Sequence, residues 1–317
     1  MFAAYFKALF VLELAMWGCS TDLFVGEEDL LLSVVKNQSE TIFVSSVADN
    51  HGDSKQCGEF SVPCQSLNVG IQHIIPSLYS QMLISEETII NRECSVQNVS
   101  IHSLEIPSAA LVYLNSTIVG KEGSLFTTSE KVRIERLKFN FGQLFTYLGS
   151  SIIHETSGQL SLSSVYFSPV GESENIESVV LNSTLLSIEN GILHVDNCSV
   201  SFLSFKKSSF LLNGDEINII NVKLEQIEAT TNVFEIGNCG SVAHNGISAD
   251  GVKLSGGCII SIGSSTSGSV LERSSSFKNS SRNSKGASSL FASPATFHSP
   301  STSPSSISTT SSFRAFF

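Results

Sequence analysis

The chain has 317 residues, 18 Lys and Arg against 29 Asp and Glu, and a net charge of −11. Five bases and one acid lie from Glu272 onward, so residues 1–271 carry −15. Such a balance argues against nucleic acid and anionic membrane surfaces as partners and suits a self-repelling exterior.

In chain order, residues 1–20 read as a secretory signal. Lys7 supplies the charge, Ala8 to Trp17 the apolar run, and Gly18, Cys19 and Ser20 the small residues. Glu13 interrupts the run. A lipoprotein cysteine at Cys19 is a rival reading that Met16 and Trp17 fit poorly. The expected address is secreted or extracellular surface, with no transmembrane span, because no later stretch is long and apolar enough. Residues 21–82 read as a cap region: a short helix over Leu30 to Val35, a strand at Glu40–Ser45, then a loop to Gly58. Beyond it, Leu67, Ile71, Ile74, Ile75 and Leu78 recur at helical spacing, with Ser66 placed to cap. Six cysteines remain after Cys19, an even count that permits disulfides in an exported chain. Cys57 and Cys64 bracket a short loop and are the expected pair, whereas Cys198 falls at a core position and is expected as a buried thiol.

Residues 83–262 repeat one apolar frame, h-x-h-x-x-h-x-h. It reads Val99/Ile101/Leu104/Ile106, Val132/Ile134/Leu137/Phe139, Leu160/Leu162/Val165/Phe167, Leu193/Val195/Cys198/Val200 and Ile217/Ile219/Val222/Leu224, then weakens to Val242/His244/Ile247/Ala249. First positions are 33, 28, 33, 24 and 25 residues apart. A repeat of this length made of short alternating strands marks a solenoid whose coils bury their faces only against one another. The doubled x would flip the second pair of h residues outward unless the chain bends there. Asn197, Asn221 and Gly246 occupy that bend and accept a left-handed backbone; Ser103, Arg136 and Ser164 stand there in the earlier frames. A further strand, as in Leu186-x-Ile188, Phe210-x-Leu212, Phe234-x-Ile236 and Ile260-x-Ile262, precedes each late frame, so each coil should offer two or three strands. An antiparallel sandwich also has short alternating strands, but its turns come every 8–12 residues without such a frame.

The Gly-Asp-Ser loop, Cys57-Gly58, Pro63-Cys64-Gln65-Ser66-Leu67 and the helix after it resemble the entry into right-handed parallel β-helix proteins of the pectin-lyase-like superfamily. With Ile188 to Val200, the chain is similar to secreted or surface repeat proteins of protozoa over residues 40–262. The resemblance implies an all-β right-handed parallel β-helix with an N-terminal capping helix, and it carries over the cysteine pair and the Ser66-Leu67 helix start. It does not imply an activity. The superfamily's hydrolases cluster aspartates, and its lyases pair calcium-binding acids with a Lys or Arg base, because such cleavage needs two carboxylates or a metal plus a base. Here no Asp-Asp pair occurs and the acids are scattered, so neither catalytic residues nor a cofactor nor a metal is expected. His194 with Asp196 forms the most suggestive pair, weighed against a solvated strand edge. His102 and His154 invite the same bland reading, and inward-placed His244 marks a frayed coil. Arg133, Glu135, Arg136 and Lys138 make one charged rung, a solvated face or part of an anionic glycan site.

Six sequons lie at Asn37, Asn98, Asn115, Asn182, Asn197 and Asn279. Asn115 and Asn182 lie outside the frames and are the preferred glycosylation positions, followed by Asn98 and Asn37. Asn197 is set aside because its amide is expected to turn inward onto Asn221. Residues 263–317, rich in Ser, Thr, Gly and Pro, are expected to be disordered. The last coil then lacks a cap and invites end-to-end self-association. The functional expectation is a non-catalytic surface protein for adhesion or interaction, its partner an extracellular glycan or a surface protein. The alternatives are a polysaccharide lyase or glycoside hydrolase on the same scaffold, and a structural coat component.

Overall fold

The computed structural model describes residues 41–46, 56–105, 108–114, 117–118, 123–171, 178–263, 270–273, 275–278, 281–282 and 291–292. All of them fall in the unit Glu40–Phe317. The signal segment, the helix expected at 30–35, and the sequons at Asn37, Asn115 and Asn279 lie outside the described residues.

The frames stack as the alternation demands. Val99 is in register with Val132, Val132 with Leu160, Leu160 with Leu193, Leu193 with Ile217 and Ile217 with Val242, always parallel. Each apolar frame position from Val132 to Ala249 is at most 4% exposed, so the aliphatic residues of successive coils form one continuous core. The described chain is thus an all-β solenoid of stacked parallel strands. Each side chain buried this way stabilises by roughly 1.5–3 kcal/mol.

A late coil has four strands rather than two or three: Phe210–Leu212, Glu216–Ile220, Lys223–Glu225 and Glu228–Ala229. They define four faces. The first and second belong to one 14-stranded sheet, because Cys94–Ser103, Ser124–Glu135 and Ser151–Ser163 each run through both. The third face is an eight-stranded sheet and the fourth a five-stranded one that begins only at Val179–Leu181. Aromatic rings add to the column on two faces: Phe210 stacks on Phe234 at 4.5 Å, and Phe139 on Phe167 at 5.2 Å between ring centroids.

The bend lies where the doubled x required it. Asn197 and Asn221 have φ of 51° and Gly246 of 71°; Arg136 at 51° and Ser164 at 53° bend the same way, although neither residue type favours it. Ser103 has no left-handed φ, so the earliest frame turns differently. Asn197 corrects one expectation. Its side chain is exposed, and its Nδ2 donates to Ser164 Oγ of the preceding coil at 3.1 Å instead of turning inward onto Asn221.

Three boundaries also shift. Stacking begins not at residue 83 but at Thr41–Val44, which pairs with Ser80–Ile84. The helix α1 (Leu67–Gln72) stops before Ile74, Ile75 and Leu78, because the ring of Pro76 disfavours a helical Ile75. Ser66 caps it by accepting from Val69 N–H, and Gly70 brings it so close to the first strands that a Cβ there would lie 2.7 Å from Val44 Cγ2. Last, short strands are described beyond Ile262, while most of residues 263–317, on which the expectation of disorder falls, lie outside the described residues. Val270–Arg273, Ser276–Lys278, Ser281–Arg282 and Phe291–Ala292 add one strand to each face in parallel register. Backbone pairing does not need the apolar frame that the sequence had lost there.

The N-terminal edge is covered. Phe43 N–H donates to Gly58 O at 2.8 Å, Cys64 N–H to Phe43 O at 2.9 Å and Ser45 N–H to Cys64 O at 2.7 Å, while a disulfide joins Cys57 to Cys64. The loop therefore satisfies backbone groups that the first strand would otherwise leave open to another chain.

Candidate binding groove

On the fourth face the alternation Val179/Leu181, Leu203/Phe205 and Leu254 points inward, leaving Val180, Ser204, Glu228 and Lys253 in register on the outside. The turn into this face is a second left-handed bend, five residues after the first. Phe202 occupies it at φ 55°, Gln226 at 51° and Gly251 at 67°. Each backbone N–H there bonds to the next coil, Phe202 to Glu225 O at 2.9 Å and Gln226 to Asp250 O at 2.9 Å. Gly251 has no room for a side chain because the Gln226 amide lies over it: a Cβ there would stand 2.4 Å from Gln226 Nε2.

These residues enclose a shallow groove of about 220 Å³ lined by Ser178, Phe202, Gln226, Glu228, Gly251 and Lys253. Phe202 is only half-buried, an aromatic ring held in a conformation that costs a bulky L-residue roughly 1–2 kcal/mol. Lys253 Nζ donates to Glu228 Oε1 at 3.2 Å. Through Ser178 the groove adjoins a cleft of about 430 Å³ lined by Gln143, Phe145, Thr146, Val180, Asn182 and Lys206. The cleft exists because a rung is interrupted. Thr146–Tyr147 pairs with Thr117–Ile118, not with Val179–Leu181 one coil later. Amide, hydroxyl and charged groups beside an aromatic face can exchange hydrogen bonds with a polyhydroxylated ligand and cover its apolar side.

The residues singled out from sequence lie elsewhere. His194 and Asp196 are on the outer second face, beside Ser161 and Asn218 and beside Ser163 and Ile220; among the described residues no ion pair joins them. In the charged rung Arg133 is held by Glu135, and Arg136 Nη2 donates to Ser103 O at 3.5 Å. Burial, then the Arg136 charge, holds the His102 pKa below its ordinary value. His154 Nε2 lies 3.7 Å from Glu189 Oε1. His244 is buried in the core column, and its pKa falls to about 4. Cys198 is a buried thiol pushed up to about 12, chiefly by desolvation, so it is inert. Cys57 Sγ lies 3.5 Å from His73 Nε2, but both sulfurs of that cluster are committed to the disulfide. Asn98 Nδ2 donates to Pro76 O at 3.1 Å and to Glu130, whereas the exposed Asn182 lines the cleft.

Phe202 had no place in the sequence reading, and neither did Glu155. A bend recurring five residues after Asn197, Asn221 and Gly246 was the signal for Phe202, masked by Phe, Gln and Gly sharing no obvious chemistry. Glu155 occupies a core position on the first face, in register with Thr128 and Ile188.

Fold and groove together define the class: an all-β solenoid of parallel strands with a lateral groove on its fourth face. Beyond that class, no family model, no curated protein and no solved structure matches the chain.

Proposed function

We propose that the protein is a right-handed parallel β-helix of the pectin-lyase-like kind, exported to the cell exterior or surface, that binds a glycan without cleaving it. The observation carrying this reading is Phe202, half-exposed in the groove wall with Gln226 beside it and the Lys253–Glu228 pair below. A strained aromatic between hydrogen-bonding groups suits sugar-ring stacking, and a strained residue at a surface groove is a pointer to function. Glu228, the acid in this groove, is engaged by Lys253, which favours holding a ligand over protonating a leaving group.

Titrating the protein against a panel of neutral and acidic oligosaccharides tests this. Binding to at least one class is expected, with about ten-fold or greater weakening in Phe202→Ala, the loss of roughly one aromatic contact. Binding unaffected by Phe202→Ala, or none across the panel, overturns it. New reducing ends or unsaturated products in the same mixtures would instead establish a carbohydrate-active enzyme.

A further inference from the structure

The cleft at the interrupted rung has an unusual border. Val180, 46% exposed, lines it, and Leu144, 81% exposed, lies in sequence between its lining residues Gln143 and Phe145; Leu148 at 63% and Val170 at 40% are exposed on the same two coils. Val179–Leu181 is also the terminal strand of its sheet, so one of its edges has no strand partner among the described residues. Exposed aliphatic side chains and an open strand edge are features that stable surface proteins tend to cover. At the lip stands Asn182, exposed, first after the strand, and the acceptor of the sequon Asn182-Ser183-Thr184.

We infer that Asn182 carries an N-linked glycan and that its first sugars lie in this cleft, beside the interrupted rung, covering Val180. The inference rests on the exported reading above. In the modification, Asn182 Nδ2 bonds to the anomeric carbon of a lipid-diphosphate-linked oligosaccharide. The anomeric C–O bond breaks, the lipid diphosphate leaves with the electron pair, and the amide proton passes to the transferring enzyme's base. Transfer precedes folding, so the later burial of Thr184 does not hinder it. Once folded, the acetamido-sugar sets its apolar face on the exposed Val180, with Gln143 and Lys206 within the same cleft for its hydroxyls. The groove at Phe202 stays open beyond Ser178.

The other two sequons within the described residues differ in place. Asn98 has its amide nitrogen engaged by Pro76 and Glu130 at a bend of the N-terminal coils, and Asn197 donates to Ser164 on the open second face. Neither is among the residues that line this cleft.

The full chain, produced in a eukaryotic secretory host, supplies the test. Glycopeptide mass spectrometry should find Asn182 occupied, and a glycan-releasing amidase should remove that glycan from denatured but not from native protein. Asn182→Gln should raise hydrophobic-dye emission and self-association, and Thr184→Val, which keeps Asn182, should do the same. Thr184→Ser, which keeps the sequon, should restore wild-type behaviour and separates loss of the sugar from damage to the coil. Should Thr184→Val misfold, enzymatic trimming of native wild type to a single N-acetylglucosamine leaves dye emission low if the first sugar fills the cleft. An exported protein with Asn182 bare, or with a glycan whose removal changes neither readout, overturns the inference. A protein retained without any glycan, its leader intact, refutes the export reading instead.

Discussion

Glu155 offers the sharpest test of the stacked core. Its carboxylate is fully buried, in a column that otherwise runs through Val96, Thr128, Ile188, Leu212, Ile236 and Ile262. Thr128 Oγ1 donates to its Oε2, while Oε1 has no partner among the described residues. Desolvation raises its pKa from 4.5 to about 7 against the opposing hydrogen bonds of Thr128 and Ser157. The sign follows. Below pH 4.5 both folded and unfolded chains hold the proton; above it the unfolded chain releases it first, so stability falls as pH rises towards 7 and then levels off. At about 1.4 kcal/mol per unit, this penalty is about 0.8 kcal/mol at pH 5 and about 3.3 kcal/mol at pH 8. Glu155→Leu restores the column's aliphatic pattern, and the Thr128 hydroxyl keeps His154 O at 3.3 Å as acceptor. Urea unfolding of both proteins at the two pH values should therefore show the variant gaining about 2.5 kcal/mol on wild type between pH 5 and pH 8. A difference below about 0.5 kcal/mol, or one of opposite sign, would mean that Glu155 reaches water and the column is broken there.

His244 should act in the opposite direction. With its pKa lowered from 6.5 to about 4 by burial, stability is lost as pH falls below 6.5, and His244→Val should recover about 2 kcal/mol between pH 7.5 and pH 5 in the same assay. Removing the Cys57–Cys64 bridge as a double serine variant should cost about 2–3 kcal/mol for so short a loop. Freeing the edge of Thr41–Val44 should also raise self-association, read by light scattering against the oxidised protein. At the bend, Asn221→Val should cost about 1–2 kcal/mol in thermal unfolding where Asn221→Gly costs little, because φ is 51° there.

The core was legible because burial and alternation leave the same mark in every coil. Leu193, Ile217 and Val242 share a column since a one-residue slip would turn each outward. Asn and Gly announced the late bends, whereas Arg136 and Ser164 did not, because neighbouring coils impose a left-handed backbone on residues that do not seek it. Pairing hidden in the backbone was invisible for the same reason, and so Val270–Arg273 and Phe291–Ala292 read as a disordered tail. The site was the least legible part. Phe202 is one aromatic among 21 phenylalanines, and only the geometry of the second bend sets it apart from the inward-facing ones.

Repeat length explains where the cleft arises. In the 24-residue coil, Ser199 on the third face is followed four residues later by Leu203 on the fourth; one coil earlier, the equivalent residues Tyr166 and Val179 are 13 apart. The nine-residue excess of the 33-residue coil is thus inserted at a single corner, between the third and fourth faces. Within the 28-residue coil, the extra length falls in the stretch from Lys138 to Ile153, which includes Thr146–Tyr147 on its displaced pairing. Register on an inner column tolerates no insertion within a face, since one residue would invert the strand. Length therefore varies at the corners: by one residue at the bends between Gln97 and Val99 and between Glu155 and Gly158, and by more where a loop leaves the stack. Irregular repeat spacing in the first half of the sequence is therefore the mark of the coils that border the cleft lined by Asn182. The regular 24- and 25-residue spacing that follows builds the fourth sheet that holds Phe202.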